Sequence, residues 1–494
     1  MSPCFSLRLP ILGVAALVLG GCHQASDFHA ERPEVPMPGA FREVAQETVP
    51  PEQWADIWQE PELADLLAQT FDRNPSWQQA WSQLEVSLAQ ARQAGAGRLP
   101  TLSATGQVQR SKQPIMGPSA ALAGGGQQSP GGGQGQDVPD AYTDTTYRAG
   151  LAASWEIDLW GRLAAQEAAA ERQVAATQAQ IEGLAISLAA QVTEAFLQLR
   201  TADARLALLQ RQLDAVDDQI ELLERRVGQG QTSALDLAQQ QQTAEQLRGQ
   251  RYLAQAERDQ FAHQLATLTG RPPQNVTFDA APQLPPLPPL PAPGLPLDLL
   301  ENRPDLRQAY YEFQASDAQA AAAAREGLPA LSLSADLFWQ ATELENLLDT
   351  VFWTLAGEAQ QSIFDGGRIA AGEDIARAQA DVARLSYAQA WLDALREVAD
   401  ALSQAEQLQS YEASAASQLR QSEQSLELAR SRFVNGAIDY LRVLEAEQGL
   451  RDAQIALLEA RRDRWLNRLQ LFRAVASDEA LPTAVRNPRA SSAS

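Results

Sequence analysis

From Ile181 the apolar positions run Leu184, Leu188, Val192, Ala195, Leu199, Ala202, Leu206, Leu209, Leu213, Val216, Ile220, Leu223 and Val227. The steps alternate almost throughout between threes and fours, the heptad spacing that keeps one stripe of a helix against a neighbour and predicts a coiled coil. Taken from residue 162 to 227, this helix is about 66 residues and roughly 100 Å long at 1.5 Å per residue. The corresponding stretch of the second half, residues 398–433, carries more Ala and Ser at the same positions, which permits closer helix approach. Elsewhere the period drops to two. Tyr147, Ala149, Leu151, Ala153, Trp155, Ile157 and Leu159 alternate with Thr146, Arg148, Gly150, Ala152, Ser154, Glu156 and Asp158. Leu102, Ala104, Gly106 and Val108 alternate with Thr101, Ser103, Thr105 and Gln107, and two further series are Leu331 to Trp339 and Val351, Trp353, Leu355. Strands of about 10 residues with one apolar face and aromatic residues near their ends suit a transmembrane barrel. Amphipathic hairpins packed on helices in a soluble protein carry the same alternation, and the strands alone leave both readings open.

Two offsets lay the chain over itself. A shift of 229 residues places Pro75 on Pro304, Gln90 on Gln319, Leu99-Pro100 on Leu328-Pro329 and Leu102-Ser103 on Leu331-Ser332. A shift of 206 places Gly161-Arg162 on Gly367-Arg368, Gln212-Leu213 on Gln418-Leu419, Arg226 on Arg432, Gly230 on Gly436 and Leu235 on Leu441. Each half runs helix, strand, strand, long helix, turn, helix, so the sequence reads as a tandem duplication. The first half carries an insertion between Ser103 and Gly161, assigned to residues 114–139 with their two triple glycines, a composition that forms a flexible loop. No Lys-Ser/Thr follows it, which disfavours a phosphate cradle. Residues 282–296 are proline-rich and predict an extended linker between the halves.

Composition narrows the function. Hydrophobic residues at 45% and charged residues at 20% fit neither a disordered chain nor a multi-span helical membrane protein. The formal charge of −23 argues against a nucleic-acid partner, which would require a basic stripe. Two cysteines and three histidines rule out a disulfide scaffold, a zinc-finger array and most histidine-based catalysis; His23, His29 and His263 are isolated, the last a surface residue. Three methionines give little support to a copper or silver conduit. No hydrolytic constellation occurs, so the chain is not expected to be an enzyme.

Arg8 precedes a short apolar run over residues 11–19, the build of a signal peptide, which ends in Leu19-Gly20-Gly21-Cys22. The end resembles a bacterial lipobox, which implies a mature chain beginning at Cys22 with diacylglycerol and an N-acyl group on it. His23 rather than Asp at the next position implies, by the same resemblance, the outer membrane. Beyond residue 21 no stretch of about 18 apolar residues occurs, so a further crossing is expected only as strands. One chain offers four such strands, and an open sheet edge does not lie in lipid. Two chains make eight strands with a filled interior, whereas three make 12 and leave an aqueous bore, which a conduit requires. Helices of about 37 and 38 residues, from residues 61 to 97 and 233 to 270, together match the long helix of about 66 and stack end to end beside it.

At this point the residues resemble a known family, the TolC-type outer-membrane efflux proteins, in the lipoprotein branch often called NodT-like. The matching motifs are Trp155-Glu156-Ile157-Asp158-Leu159-Trp160-Gly161-Arg162, Ile363-Phe364-Asp365-Gly366-Gly367-Arg368, Arg303-Pro304-Asp305-Leu306, and the turns Arg226-Val227-Gly228-Gln229-Gly230 and Arg432-Phe433-Val434-Asn435-Gly436. The resemblance spans residues 50 to 475. It implies an α+β membrane protein, a trimeric 12-stranded β-barrel with four strands per chain, continued by a long periplasmic α-helical coiled-coil barrel and built as an internal tandem repeat. The corresponding division is a signal peptide over 1–21, a lipidated equatorial segment over 22–60, one efflux repeat over 61–270, a proline-rich equatorial linker over 271–302, a second repeat over 303–475 and a flexible tail over 476–494. It also implies a homotrimer docked onto a periplasmic adaptor (membrane fusion) protein of an inner-membrane pump, expected to be proton-driven.

The two turns form the adaptor-docking tip in that family, which assigns Gly230, Gly436, Arg226 and Arg432 to it; a plain helix hairpin would use the same glycines. Acidic residues six and nine beyond the second glycine ring the family's pore. Here those positions hold Arg442 and Glu445, and their first-half counterparts are Asp236 and Gln239. Arg442 departs from the family's acid, so the expected constriction is a Glu445 ring with Arg442 as its partner, and Asp236 beside it. A passive duct for export of small molecules is the expected function. A protein-secretion duct has the same architecture, and a soluble coiled-coil structural protein is the alternative of a different class.

Overall fold

The computed structural model describes residues 48–49, 60–114, 141–279, 281–291 and 303–475. Cys22 and the signal peptide, most of the lipidated segment, nearly all of the glycine-rich insertion, much of the linker and the tail from residue 476 lie outside them. Among the described residues are seven α-helices: α1 (Pro61–Arg73), α2 (Pro75–Ala96), α3 (Arg162–Gly228), α4 (Ala234–Leu268), α5 (Pro304–Ala324), α6 (Arg368–Val434) and α7 (Tyr440–Val475). The longer strands are β1 (Thr101–Pro114), β2 (Ala141–Ile157), β3 (Ala330–Ala341) and β4 (Val351–Gln360). No helix among them is long and apolar enough to cross a membrane. The described residues fall into two compact units, Ala89–Glu171 with Ala315–Ala380, and the remainder.

The first unit holds a four-stranded sheet in the order β1-β2-β3-β4, antiparallel throughout. All four strands fall where the period-two alternation predicts them, though β1 and β2, at 14 and 17 residues, exceed the expected length. Register decides which side chains share a face. Leu102 opposes Ala153, Leu151 opposes Leu337 and Leu337 opposes Trp353, so the apolar positions of all four strands gather on one side. That side is bare: Leu102, Val108, Trp353 and Leu355 are each more than two-thirds exposed. The other side carries Thr101, Ser103, Thr105, Gln107, Arg148, Ser154, Asp336, Ser334, Thr354 and Glu358.

The two halves of the Trp155–Arg162 motif fasten the sheet to its flanking segments. The indole N–H of Trp155 donates to the Arg98 carbonyl at 2.9 Å and that of Trp160 to the Pro329 carbonyl at 2.8 Å, so each holds the chain just before a strand. Gly161 follows with a positive φ of 75°. The Asp158 carboxylate accepts from the Leu163 and Ala164 amides at the start of α3, whose first N–H groups have no partner within the helix. Asp365 does the same for α6, accepting from the Gly367 and Ile369 amides at 2.9 Å each. The Ile369 bond leads in holding its carboxyl below the ordinary value; partial burial opposes it, and Gly367 and Arg368 add to it.

In the second unit the heptad stripe of α3 is the core. Val192, Ala195, Leu199, Ala202, Leu209, Leu213, Val216 and Leu223 are all buried, as the spacing predicts. The largest cluster joins Val192, Ala195 and Leu199 to Leu63 and Leu67 of α1, Trp77 of α2, Leu265 of α4 and Trp465 and Phe472 of α7; Leu209, Leu213 and Val216 pack instead with Ala244, Leu247 and Ala254 of α4. Trp77 meets Phe71 and Trp81 edge-on, with ring centroids 5.2 and 5.8 Å apart.

One expected element is divided. Residues 61–97 do not form a single helix, because Pro75 offers no N–H and disfavours helical backbone at Asn74 before it. Asn74 is extended (φ −65°, ψ 122°) and serves two helix ends. Its Oδ1 accepts from the Ser76 and Trp77 amides, and its amide donates to the Leu268 carbonyl at the end of α4 at 2.8 Å. The end of α4 thus abuts the start of α2, and Gly270 fits there with φ 71°, since a Cβ would lie 2.7 Å from the Arg73 carbonyl oxygen. In the second half, Arg303 precedes Pro304 as Asn74 precedes Pro75, and its guanidinium donates to the Ala474 carbonyl near the end of α7 at 3.1 Å. Asp305 and Glu397 complete its shell at 2.6 and 2.9 Å.

The described part of the proline-rich segment forms no helix and is fastened along its length. Trp465 Nε1 donates to the Pro285 carbonyl at 3.1 Å and Arg468 to that of Pro288 at 2.5 Å, so one face of α7 grips carbonyls three residues apart. Burial, with Arg464 nearby, pushes the Arg468 guanidinium down to about 10. Beyond it, Leu290–Pro291 pairs in parallel with Thr48–Val49.

Candidate functional site

The two helix reversals are built alike. At the end of α3, Gly230 takes φ 70°, its N–H donates to the Val227 carbonyl at 3.0 Å, and the Gln231 N–H donates to the Arg226 carbonyl at 2.9 Å. At the end of α6, Gly436 takes φ 69°, with bonds to the Phe433 and Arg432 carbonyls at 2.9 Å each, the second from Ala437. Both are Schellman closures, in which a left-handed residue folds the chain back onto its own last turn. The glycines therefore do what their place in the sequence predicts. Arg226 and Arg432 contribute carbonyls to the closures, and the Arg226 guanidinium also lies 5.9 Å from the Phe433 ring centroid.

The residues expected at the constriction occupy different settings. Asp236 forms a capping box at the start of α4: its carboxylate accepts from the Ser233 amide at 3.1 Å and the Thr232 hydroxyl at 2.9 Å, while Ser233 caps in return. Arg442 and Glu445, one turn apart on α7, form an ion pair at 2.8 Å with both side chains more than half exposed. The structure brings these two together and keeps Asp236 engaged with its own helix. His263 is exposed on α4.

Beside the reversals lies a polar layer that the sequence did not single out. Glu447 of α7 is 4% exposed and accepts from Arg430 of α6 at 3.0 Å and from Gln219 of α3 at 2.5 Å. Gln240 of α4, fully buried, donates to Gln219 at 2.5 Å, so four helices meet in one chain of hydrogen bonds. Leu223, Leu426, Tyr440 and Val443 pack around it. Burial raises the Tyr440 phenol well above its ordinary value, with Glu447 and then Asp236 adding to the effect. Burial likewise lowers the Arg451 guanidinium. The available signal was periodic: Tyr440, Val443 and Glu447 share one stripe, so a carboxylate stands where the heptad calls for an apolar residue.

A sheet with leucine, valine and tryptophan on one exposed side and hydroxyls, amides and charges on the other, in a chain whose coiled helices close in paired reversals, has the parts of an outer-membrane channel. Residues 66–271 and 295–477 match the model of one family, described as outer membrane efflux protein, and the chain belongs to it. Outer membrane protein OprJ of Pseudomonas aeruginosa is 29% identical, over 95% of this chain and 96% of its own length. The toluene efflux pump outer membrane protein TtgI of Pseudomonas putida is 28% identical, over 93% and 96%. Among solved structures, the open state of the Neisseria gonorrhoeae MtrE outer membrane channel superimposes with a TM-score of 0.79 at 26% identity, covering 92% of this chain and 98% of that one. The chain is thus an outer-membrane efflux duct.

Proposed function

We propose that three copies of this chain form the outer-membrane duct of a three-part efflux assembly that exports small molecules, with no chemistry of its own. The sheet carries this proposal. Its apolar face is exposed and its outer strands β1 and β4 have unpaired edges, which lipid does not tolerate. Twelve strands from three copies remove every edge and leave a bore lined by the polar face. The helical unit continues the duct into the periplasm, where the Gly230 and Gly436 reversals, with Arg226 and Arg432, meet an adaptor protein of a proton-driven inner-membrane pump. Glu445, paired to Arg442, rings the entrance with Asp236 beside it. Cys22 carries diacylglycerol and an N-acyl group that anchor the chain in the outer membrane. The matching joints at Asn74 and Arg303, and the matching closures at Gly230 and Gly436, support two halves derived by tandem duplication. The name of the toluene-exporting relative favours small solutes over secreted proteins.

Reconstitution tests the proposal. Purified full-length protein is expected to migrate as a heat-modifiable trimer and to produce discrete conductance steps in planar bilayers. Recovery as a soluble monomer without conductance would reject it.

A further inference from the structure

The apolar face of β1 changes character along its length. Leu102, Ala104, Gly106 and Val108 belong to it, and the next two residues of the same parity are Arg110 and Lys112, both exposed. The register sets these level with Thr145 and Thr143 of β2, two and four residues beyond the pair that Val108 makes with Tyr147. At about 3.3 Å per residue they stand roughly 7 and 13 Å past that pair along the strand. Tyr147, and Trp339 of β3 opposite Ala149, put aromatic side chains where the apolar band ends, as at a boundary between membrane and water. This is the end of the sheet remote from the helices, since α2 finishes just before β1 and α3 begins just after β2. Neither cation has an ion pair among the described residues, and Lys112 is the only lysine in a chain of charge −23.

We propose that Arg110 and Lys112 bind the phosphate of a lipid in the outer leaflet of the outer membrane, at one site per chain on the outer wall of the barrel. A guanidinium fork and an ammonium two residues apart on one face reach the same phosphate, while the lipid's acyl chains lie along the apolar band below. Closing the barrel does not cover the pair. The next copy's strand lies beside β1 in the plane of the sheet, and the side chains that point out of that plane still face the membrane. The inference rests on the sheet spanning the outer membrane with its helices in the periplasm.

The lone lysine supplies the readout. Full-length protein in nonionic detergent is treated with an amine-reactive ester, and acylation is read on the peptide that carries Lys112. The probes are diphosphorylated lipid A, the same lipid stripped of its phosphates, and inorganic phosphate. Lipid A is expected to slow acylation about fivefold or more, and the other two to leave it near the rate without lipid. Arg110→Gln is expected to raise the lipid A concentration needed for protection about fivefold, and Arg110→Glu to abolish protection. Equal protection by phosphorylated and stripped lipid, a comparison that needs no variant, overturns the phosphate site. So does equal protection by inorganic phosphate, or protection unchanged in Arg110→Glu. Acylation already slow without lipid, and restored by Glu343→Gln, Glu345→Gln or Asp349→Asn, assigns the cations to the β3–β4 connection of the next copy and overturns the site as well. Conductance in planar bilayers tells the two readings apart: a conducting trimer without protection loses only the site, whereas a protein that neither trimerises nor conducts loses the duct and the site with it.

Discussion

Glu447 is the residue on which the packing beside the reversals turns. Its carboxylate accepts from Arg430 and Gln219, and Gln219 in turn accepts from Gln240, so removing it takes the acceptor from the partly buried Gln219 amide and from Arg430. Glu447→Ala is expected to destabilise this part of the helical unit by about 1.5–3 kcal/mol, read as lowered hydrogen-exchange protection in α7 near Tyr440 and Val443. Glu447→Leu is expected to cost less, since it fills the stripe and Arg430 is already half in solvent. Protection unchanged in the alanine variant would contradict the network. Sequence alone showed the glycines at 230 and 436, because a helix reversal demands a backbone that other residues resist. It did not show this layer, since a glutamate, two glutamines and an arginine far apart in the chain acquire meaning only when four helices bring them together.

At the scale of elements, periodicity carried furthest. Four strands and both long helices were legible because their patterns run for many residues, and α3 and α6 each span 67. The break at Asn74 was missed, although Pro75 announced it, because the apolar spacing continues across the joint. Asn74→Asp keeps the acceptor for the α2 amides and removes the donor to the Leu268 carbonyl. The expected loss is about 1 kcal/mol in thermal or denaturant stability, with α2 still formed; an unchanged value would show that the α4 end holds without this bond. Asp365 makes a prediction in pH. Its folded value lies below the unfolded 3.8, so its stabilisation of the α6 start is complete above that value and is lost as pH falls through the lowered one. Protection factors for Ile369 to Gly372 are expected to drop in acid in the wild type, and to change much less in Asp365→Asn, which keeps an acceptor but no titrating charge. Parallel profiles for the two proteins would remove Asp365 as the cause.

For the molecule as a whole, the question is what its entrance prefers. If Glu445 rings the opening with Arg442 beside it, Glu445→Gln leaves a net positive rim and Arg442→Asp a strongly negative one. Reversal potentials across a salt gradient are expected to move toward anions in the first and toward cations in the second, and identical potentials in all three proteins would place the pair away from the conducting path. The family was legible from motifs spread along the chain, and the pairing of Arg442 with Glu445 was expected from their spacing of three and is present at 2.8 Å. Finally, the two helix joints hold by different forces. Asn74 joins by neutral amides, whereas Arg303 depends on Asp305 and Glu397, both about half exposed. Concentrated electrolyte screens the second and leaves the first nearly untouched. Salt therefore bears on the second half's joint more than on the first's, by a margin that the near-complete burial of Arg303 keeps small.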